Sequence, residues 1–576
     1  VMDLVIRGAQ LVDGTGEAAR SADIGIVDGK VVEIGDAGSI GAVAGKTVDA
    51  DGQVLMPGAI DPHTHYDAQI LWDPIASPST EHGVTTIIGG NCGFTVAPIK
   101  ARDAGYIREM LAKVEGMPLK ALEDGVDWNW ETFDQYLDRL EGGLGVNAGF
   151  LVGHCAIRRY VMGEESVGNA ASPEQIADMV ELLKAGMSAG GLGFSTTLSK
   201  THSDGDGEPV PSRWATNEEV LALSAAVGEF EGTFLEGIVD GCLDRFSDDE
   251  IELFANMSAV AGRPLNWNVL TVDSRETDRV DRQLECSLRA RELGGRVVAL
   301  TMPVQVPMNM SFGSFCALNL IPGWGDILGL PVAERIQKLQ DPAVREMMQR
   351  QATSNEAGVL RRLADWSNYV IGDVYSDANR ELKGKIVKDI AAQSGKSAFD
   401  TLIEIVIADN LQTILWPIPI DGDDASWKLR QDTWARQDIM LGGSDAGAHL
   451  DRMCGAPYPT RFIGDCINGR QLVSMERAVE MMTSVPADLF GLFDRGRIAV
   501  GNRADMVLFD PTTIGASHAT MVNDLPGGTA RLVAAAKGVH AVWVNGTRVF
   551  NEGKPTGHTP GTVLRSGRDT KTVSTR

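Results

Sequence analysis

Two histidines separated by a single threonine, His63 and His65, are the residues whose type and spacing most clearly indicate chemistry. They follow the apolar run 54–56 and a Pro-Gly turn, a pattern typical of a strand that ends at a functional edge. Because residues two apart on a strand point to the same face, the two imidazoles can converge on one ion. Neutral imidazole is a common zinc ligand. The pair therefore predicts a metal site, against the alternative of two ordinary hydrogen-bonded histidines.

Asp445 is the carboxylate that would complete such a site. It ends the sequence Gly-Gly-Ser-Asp at 442–445, directly after the apolar run 439–441. Metal-assisted hydrolysis needs an ion that polarises a carbonyl and lowers the pKa of water, and a carboxylate that moves the proton. Alone, this motif is equally typical of a helix cap. Opposite two histidines, it predicts that Asp445 is both metal ligand and catalytic proton shuttle.

The elements that must position these residues alternate between strand-like and helix-like segments, which predicts an α/β protein with a parallel (β/α)8 TIM-like barrel. Ser172, Pro173 and Gln175 predict a capped helix start, and Thr216 predicts another. In a closed barrel the last strand lies beside the first, so Asp445 would face the histidines. The eight candidate strands end near His65, Cys92, His154, Thr196, Glu236, Asn268, Gln305 and Asp445.

Both ends of the chain are rich in short β-type runs, which predicts a small β-sandwich built from the two termini. The predicted domains are therefore 1–58 and 488–576 for the two parts of the sandwich, and 59–487 for the barrel. Segments of about 100–144 and 306–420 are too long for ordinary loops. Long insertions after barrel strands lie over the catalytic face, so both are candidate lids, with oligomer contacts as the alternative.

Composition excludes several classes of function. The chain of 576 residues carries a formal net charge of −26, which would repel nucleic acid and anionic membranes. No stretch of about 18 apolar residues is present, and the first residues lack a basic and apolar leader, so a cytoplasmic protein is expected. The seven cysteines are scattered without a CxxC pair, which argues against a disulfide framework. Small-molecule chemistry is the class that remains, with a homo-oligomer left open.

Three motifs together carry a resemblance to a known family: PGAIDPHTH at 57–65, GGNCG at 89–93 and GRIAVGNRADMVLFDP at 496–511. They resemble the amidohydrolase superfamily and, more narrowly, its D-aminoacylase branch, the N-acyl-D-amino-acid deacylases. The resemblance implies a metal-dependent hydrolase that holds zinc or another divalent ion through His63, His65, Cys92 and Asp445. The structural alternative for Cys92 is a small buried hydrophobe.

The chain departs from that branch at strands five and six. The deacylases carry two further histidine ligands there, whereas no histidine occurs between His202 and His449. A second metal site built from those histidines is excluded, and one ion per chain is the simplest outcome. Glu236, Asn266 and Asn268 occupy the corresponding segments as candidate polar wall or water ligands.

Six residues are candidate substrate contacts. His154 and Arg158 form a GHxxxR motif that resembles the family, Lys200 and His202 follow strand four, and Arg452 matches the position of an arginine that holds the substrate carboxylate. His449 is a candidate partner of the ligands or an added ligand. The alternatives are a structural histidine for His154, a surface or carbamylated lysine for Lys200 and a salt bridge for Arg452. The strand-six lysine of the branch is missing.

The leading hypothesis is an enzyme that deacylates N-acyl amino acids of the D series. In that reaction a metal-bound hydroxide attacks the amide carbonyl and Asp445 transfers the proton. A cyclic amide or imide hydrolase, similar to hydantoinases and dihydropyrimidinases, is the first alternative. A catalytically silent barrel that serves as an assembly protein is the second.

Overall fold

The computed structural model describes residues 1–41, 44–314 and 316–575, and the chain divides into two compact units. The larger unit joins residues 1–304 to 425–576, and the smaller is 305–424. The smaller unit, predicted as an insertion at 306–420, has a core of its own in which the rings of Trp324 and Trp366 stack 5.4 Å apart. Its role as a lid stays a prediction, as does the three-part domain division.

The elements of the smaller unit are mainly helical. Its helices are Gly325–Leu328, Val332–Gln340, Pro342–Thr353, Val387–Ser394 and Ala398–Ala408, and its paired strands are Tyr369–Ile371 and Leu415–Pro417.

Both ends of the chain contribute to one nine-stranded sheet in the larger unit. The central pairing joins Val54–Pro57, from the N-terminal part, to Met506–Phe509, from the C-terminal part, in antiparallel register. Buried Leu55, Leu508 and Trp543 lie in the apolar cluster of this sheet. The strands are Met2–Leu11, Arg20–Val27, Lys30–Asp36, Ala44–Asp49, Val54–Pro57, Met506–Phe509, Val539–Val544, Thr547–Asn551 and Lys554–Pro555.

Eight parallel segments follow one another in the order predicted from the sequence, in two sheets that share the stretch 147–153. The strands that make them are Ala59–Asp61, Val84–Gly89, Asn147–Phe150 with Val152–Gly153, Gly193–Thr197, Phe234–Ile238, Pro264–Trp267, Arg296–Thr301 and Ile439–Leu441. The fifth strand continues two residues beyond the predicted end, so Glu236 lies within it and is completely buried.

Backbone contacts connect the chain after the last of these strands to the chain after the first. The N–H of Asp445 donates to the carbonyl of His63 at 3.2 Å, and the N–H of His65 donates to the carbonyl of Ala446 at 2.7 Å. Parallel strands present the groups at their carboxyl ends on the same edge. Residues 63–65 and 445 are therefore held side by side by the backbone itself.

Helices separate the parallel strands, and the predicted helix start at Ser172 is confirmed. Its side chain accepts from the backbone of Gln175, whose side chain bonds back to the backbone of Ser172. Among the described residues, no helix combines the length and the apolar character needed to cross a bilayer. The helices of the larger unit are Ala104–Val114, Leu119–Gly125, Phe133–Leu140, His154–Met162, Pro173–Ser188, Asn217–Val227, Asp240–Leu243, Asp248–Ala261, Thr277–Glu292, Asp424–Trp434, Tyr458–Asn468, Met475–Met482 and Ser484–Phe490.

Candidate metal centre

The two histidines leave the first parallel strand on one short loop and point into the same buried space. His63 is fully buried and His65 is 4 % exposed, with ring centroids 5.2 Å apart. The backbone N–H of Thr64, between them, donates to the carbonyl of Ile88 at the end of the second strand. This bond fixes the loop, so the convergence of the imidazoles follows from the loop backbone rather than from flexible side chains.

Cys92 reaches the same space because the backbone around it adopts left-handed conformations. The φ angles of Gly90, Cys92 and Gly93 are +77°, +55° and +75°. A Cβ on Gly90 would lie 2.4 Å from the carbonyl oxygen of Leu151, so no other residue fits there without backbone movement. The Cys92 Sγ lies 3.5 Å from His63 Nε2. The glycines flanking Cys92 thus direct its sulfur towards the histidines.

Asp445 also approaches the two histidines. Its Oδ1 lies 3.3 Å from Nε2 of His63 and 3.8 Å from Nε2 of His65. The same oxygen accepts a hydrogen bond of 3.0 Å from Nδ2 of Asn268, at the end of the sixth parallel strand. Burial would raise the pKa of Asp445, but contact with His65 and the charge of His63 outweigh it and lower the pKa to about 2. The carboxyl group is therefore ionised at neutral pH.

His63, His65 and Cys92 fit a divalent metal ion, and Asp445 lies beside both histidines. In the described part of the chain, the ligand atoms of His63, His65 and Cys92 all lie within 4.8 Å of one another. Ligands bound at about 2.0–2.3 Å in a tetrahedron are separated by about 3.3–3.8 Å, which is the range of the contacts to Asp445 and Cys92. Two imidazoles, a thiol and a carboxylate form a donor set suited to zinc. Burial and nearby carboxylates raise the pKa of the Cys92 thiol, so a bound cation is what would favour its thiolate.

Glu115 and Glu236 are two further buried acids at this centre, and sequence reasoning did not single out Glu115. Its Oε1 lies 3.3 Å from Nδ1 of His65, and the residue is 3 % exposed. Glu236 Oε2 accepts from the backbone N–H of Cys92 at 2.7 Å, and its Oε1 lies 3.8 Å from Nδ1 of His63. Burial raises the pKa of Glu115 to about 7 and that of Glu236 to about 8. The only signal in the sequence for Glu115 is an acid between apolar Val114 and Met117.

The protonation of His65 follows from these acids. Burial alone would lower its pKa, but the charges of Glu115, Asp445 and Asp67 outweigh that effect and raise it to about 9. For His63, burial dominates and lowers the pKa to about 3. The centre therefore attracts positive charge on its His65 side, where a dication would replace the proton.

His154 and Arg158, the residues of the GHxxxR motif, bind a buried acid on a neighbouring helix. Nδ1 of His154 contacts the Thr196 hydroxyl at 2.8 Å and Nε2 contacts Glu219 Oε1 at 2.8 Å, so both ring nitrogens are engaged. Nη1 of Arg158 donates to the same carboxylate, and all three charged side chains are fully buried. The GHxxxR motif thus forms a buried network with Glu219, which favours the structural alternative for His154, and a substrate contact stays a prediction.

We expect Glu219→Gln to lower the free energy of unfolding by about 3–5 kcal/mol, because it leaves Arg158 buried without its counter-charge. Denaturant unfolding of the purified variant measures this effect. Glu218→Gln, on the same helix turn but exposed, is the matched control and should change stability by less than about 0.5 kcal/mol. A KM that rises in Glu219→Gln without a loss of stability would contradict the structural role.

Lys200 lies at the surface. Its side chain is 81 % exposed and its Nζ pairs with Asp240 at 3.0 Å, which favours the alternative of a surface lysine over a carbamylated ligand or a substrate contact. His202 lies closer: its Nδ1 contacts the Thr197 hydroxyl at 2.7 Å. Burial, with the charges of His449 and His65, lowers its pKa to about 3. Of these two residues, His202 is the one that faces the centre.

His449 and Arg452 lie on the loop that follows Asp445. The backbone N–H of His449 donates to the carbonyl of Glu115, and burial lowers the pKa of its ring to about 4. The Arg452 side chain is 13 % exposed, and its Nε lies 3.2 Å from Asp451. A Cβ on Gly116 would lie 2.4 Å from Arg452 Nη2, so the guanidinium rests against that glycine. Both side chains border the centre.

Comparison with known proteins gives one family and relatives of the same length. The model of the amidohydrolase family matches residues 46–550. The D-aminoacylase of Alcaligenes xylosoxydans xylosoxydans is 28% identical over 98% of this chain and 97% of its own. The N-acyl-D-glutamate deacylase of the same organism is 27% identical over 98% and 96%. The solved structure of N-acyl-D-glutamate deacylase from Bordetella bronchiseptica, in complex with zinc and a phosphonate inhibitor, has a TM-score of 0.64 at 24% identity, covering 98% of this chain and all of its own.

Proposed function

Because the chain belongs to the amidohydrolase family, we propose that it deacylates N-acyl amino acids of the D series. It is a metal-dependent amidohydrolase, and its end-to-end relatives are D-aminoacylase and D-amino-acid deacylases. The observation that carries the proposal is the convergence of His63, His65 and Cys92 with an ionised Asp445. Opening of a cyclic imide is less supported, since D-aminoacylase and N-acyl-D-glutamate deacylase match 98% of the chain, whereas the D-hydantoinase of Rhizobium radiobacter matches 20% of it.

Membership of the amidohydrolase family also bears on the architecture of the chain. We infer that the eight parallel segments close into a barrel through the contacts between 63–65 and 445–446, and that the terminal sheet belongs to a β-sandwich. One ion per chain is the proposed stoichiometry. A cytoplasmic location, an oligomeric state and the absence of nucleic-acid binding stay predictions from the sequence.

His63, His65, Cys92 and Asp445 would hold the ion, which when bound polarises the amide carbonyl and lowers the pKa of water. Asp445 is ionised, so it can accept the proton of the attacking water and pass it to the leaving nitrogen. Asn268 holds Oδ1 of that carboxylate by its 3.0 Å hydrogen bond. This bond helps to orient the carboxylate beside the two histidines.

Arg452 is the proposed contact for the substrate carboxylate. Its position beside Gly116 and His449 brings a guanidinium to the border of the centre, and bidentate pairing with a carboxylate is what a guanidinium does well. We expect Arg452→Lys to raise KM for an N-acyl-D-amino acid about 10- to 100-fold with a smaller change in kcat, because lysine cannot form the two-pronged contact. Steady-state kinetics measure this, with the corresponding amino-acid amide as control substrate. An equal rise in KM for the amide would contradict the assignment.

The function itself is tested by a substrate panel on the zinc-loaded protein. Release of free amino acid from N-acyl-D-amino acids, with little from the L series, is the expected result. Faster opening of hydantoin-type rings would replace the proposal by the cyclic imide alternative. A purified protein with far less than one ion per chain and no turnover of any substrate would favour the assembly protein.

A further inference from the structure

The insertion at 100–144 reaches the centre at Glu115. Helix Ala104–Val114 buries Ile107, Met110 and Val114 in the main apolar core, which fixes the direction in which the chain leaves it. Glu115 follows directly and is 3 % exposed. Its carboxylate is therefore delivered into the protein by a packed helix and not by a mobile loop.

The Glu115 carboxylate contacts one nitrogen of His65, a candidate metal ligand. Glu115 Oε1 lies 3.3 Å from Nδ1 of His65, whose Nε2 lies on the other side of the ring, 3.8 Å from Asp445 Oδ1. Metal-ligating histidines commonly donate their second ring N–H to a carboxylate, which fixes the tautomer and makes the ligating nitrogen more basic. The two nitrogens of the His65 ring match that arrangement, because Nε2 lies on the side of Asp445 and Nδ1 lies on the side of Glu115.

Residues 115–116 also contact the loop that follows Asp445. The carbonyl of Glu115 accepts from the backbone of His449, and Gly116, at φ +59°, leaves room for the guanidinium of Arg452. A Cβ on Gly116 would also lie 3.3 Å from the Cα of His449. Residues 115–116 of the insertion thus contact His65 and also His449 and Arg452, the two residues that border the centre.

We propose that Glu115 is a positioning residue of the metal centre, which holds the Nδ1 proton of His65 and thereby keeps Nε2 directed at the ion. This inference rests on the proposed function in that it takes the ion to lie among His63, His65, Cys92 and Asp445. It makes the insertion at 100–144 an integral part of the centre, through Glu115, rather than only a cover. Metal affinity should therefore depend on a side chain that is not itself a ligand.

The test compares zinc affinity in the full-length protein by competition with a chromophoric chelator. Glu115→Gln retains size and an acceptor oxygen but loses the charge, and we expect zinc to bind about 10- to 100-fold more weakly. Glu109→Gln, an exposed acid on the same helix, is the matched control and should bind zinc within about twofold of the wild type. Glu115→Asp keeps the charge on a shorter stem and should recover part of the affinity.

Cobalt loading gives a second readout that does not depend on turnover. The visible absorption of the cobalt protein should change in Glu115→Gln and be unchanged in Glu109→Gln, because only the first removes the negative charge beside Nδ1 of His65 and so makes Nε2 a weaker donor. Equal zinc affinity and equal cobalt spectra for Glu115→Gln and the wild type would overturn this inference while leaving the proposed function standing. A wild-type protein that binds no zinc would overturn both. If Glu115→Gln does not fold, Glu115→Asp decides the question, since wild-type affinity and spectra in that variant would contradict a distance-dependent contact.

Discussion

Replacing Asp445 by asparagine is expected to lower kcat for an N-acyl-D-amino acid by about 10²- to 10⁴-fold, the range contributed by a positioned acid or base. The amide oxygen of the new residue can still accept the hydrogen bond from Asn268, so the local structure should be retained. What is lost is a group able to take a proton from water and return it to the leaving nitrogen. Steady-state kinetics with saturating zinc separate this loss from weaker metal binding.

Asp240→Asn is the matched control for that substitution. Asp240 pairs with exposed Lys200 and its side chain is 38 % exposed, so removal of its charge should change kcat by less than about twofold. Unchanged turnover in zinc-loaded Asp445→Asn would mean that another group moves the proton. Glu115 or Glu236, each with a raised pKa, would then be the groups to vary next.

The residues predicted best from the sequence are those fixed by strand periodicity. His63 and His65 converge because they are two apart at a strand end, and Asp445 meets them because the last parallel strand is linked to the first. Cys92 is directed by the glycines around it, and these are visible in the sequence as GGNCG. Strand order and sheet edge therefore placed the core of the candidate site.

The residues that the sequence could not place are those whose side-chain direction depends on helices and loops. His154 begins a helix and turns to Glu219, some 65 positions later, a partner that no local pattern indicates. Lys200 follows its strand by a turn that leads to the surface. Glu115 was missed because its meeting with His65 depends on how a helix of the insertion packs, which is set by tertiary contacts and not by spacing.

Glu236 shows where sequence and structure have to be combined. The sequence establishes that the fifth strand lacks histidine, and the structure shows that the acid there is buried within the strand and bound to the N–H of Cys92. The Glu236 carboxylate accepts the hydrogen bond from the backbone N–H of Cys92. An imidazole at this position could accept that bond only through its one unprotonated nitrogen. The loss of the strand-five histidine therefore leaves a polar residue that supports the remaining donors.

Removing the metal ion is expected to abolish turnover completely and to lower the melting temperature. The three buried acids Asp67, Glu115 and Glu236, together with the partly buried Asp445, lie around the two histidines, and a dication compensates negative charge there. An ion present at about 1,000 times its Kd would stabilise the folded state by about 4 kcal/mol. Treatment with a chelator, followed by titration with zinc, should restore activity in proportion to zinc bound and reach its maximum near one ion per chain. Calorimetry on the stripped and reloaded protein measures the shift in melting temperature.

Cys92→Ser tests how the sulfur takes part in that binding. A hydroxyl at this position has neither the charge nor the softness of a thiolate, so we expect zinc affinity to fall at least about tenfold. The sulfur-to-metal charge-transfer band of the cobalt protein should also disappear. Cys155→Ser is the matched control, because that thiol is equally buried and contacts the Ser212 hydroxyl at 3.1 Å, which serine can reproduce. If Cys92→Ser kept both the band and the affinity, the sulfur would be a packing group, and the ion would be held by His63, His65 and Asp445 alone.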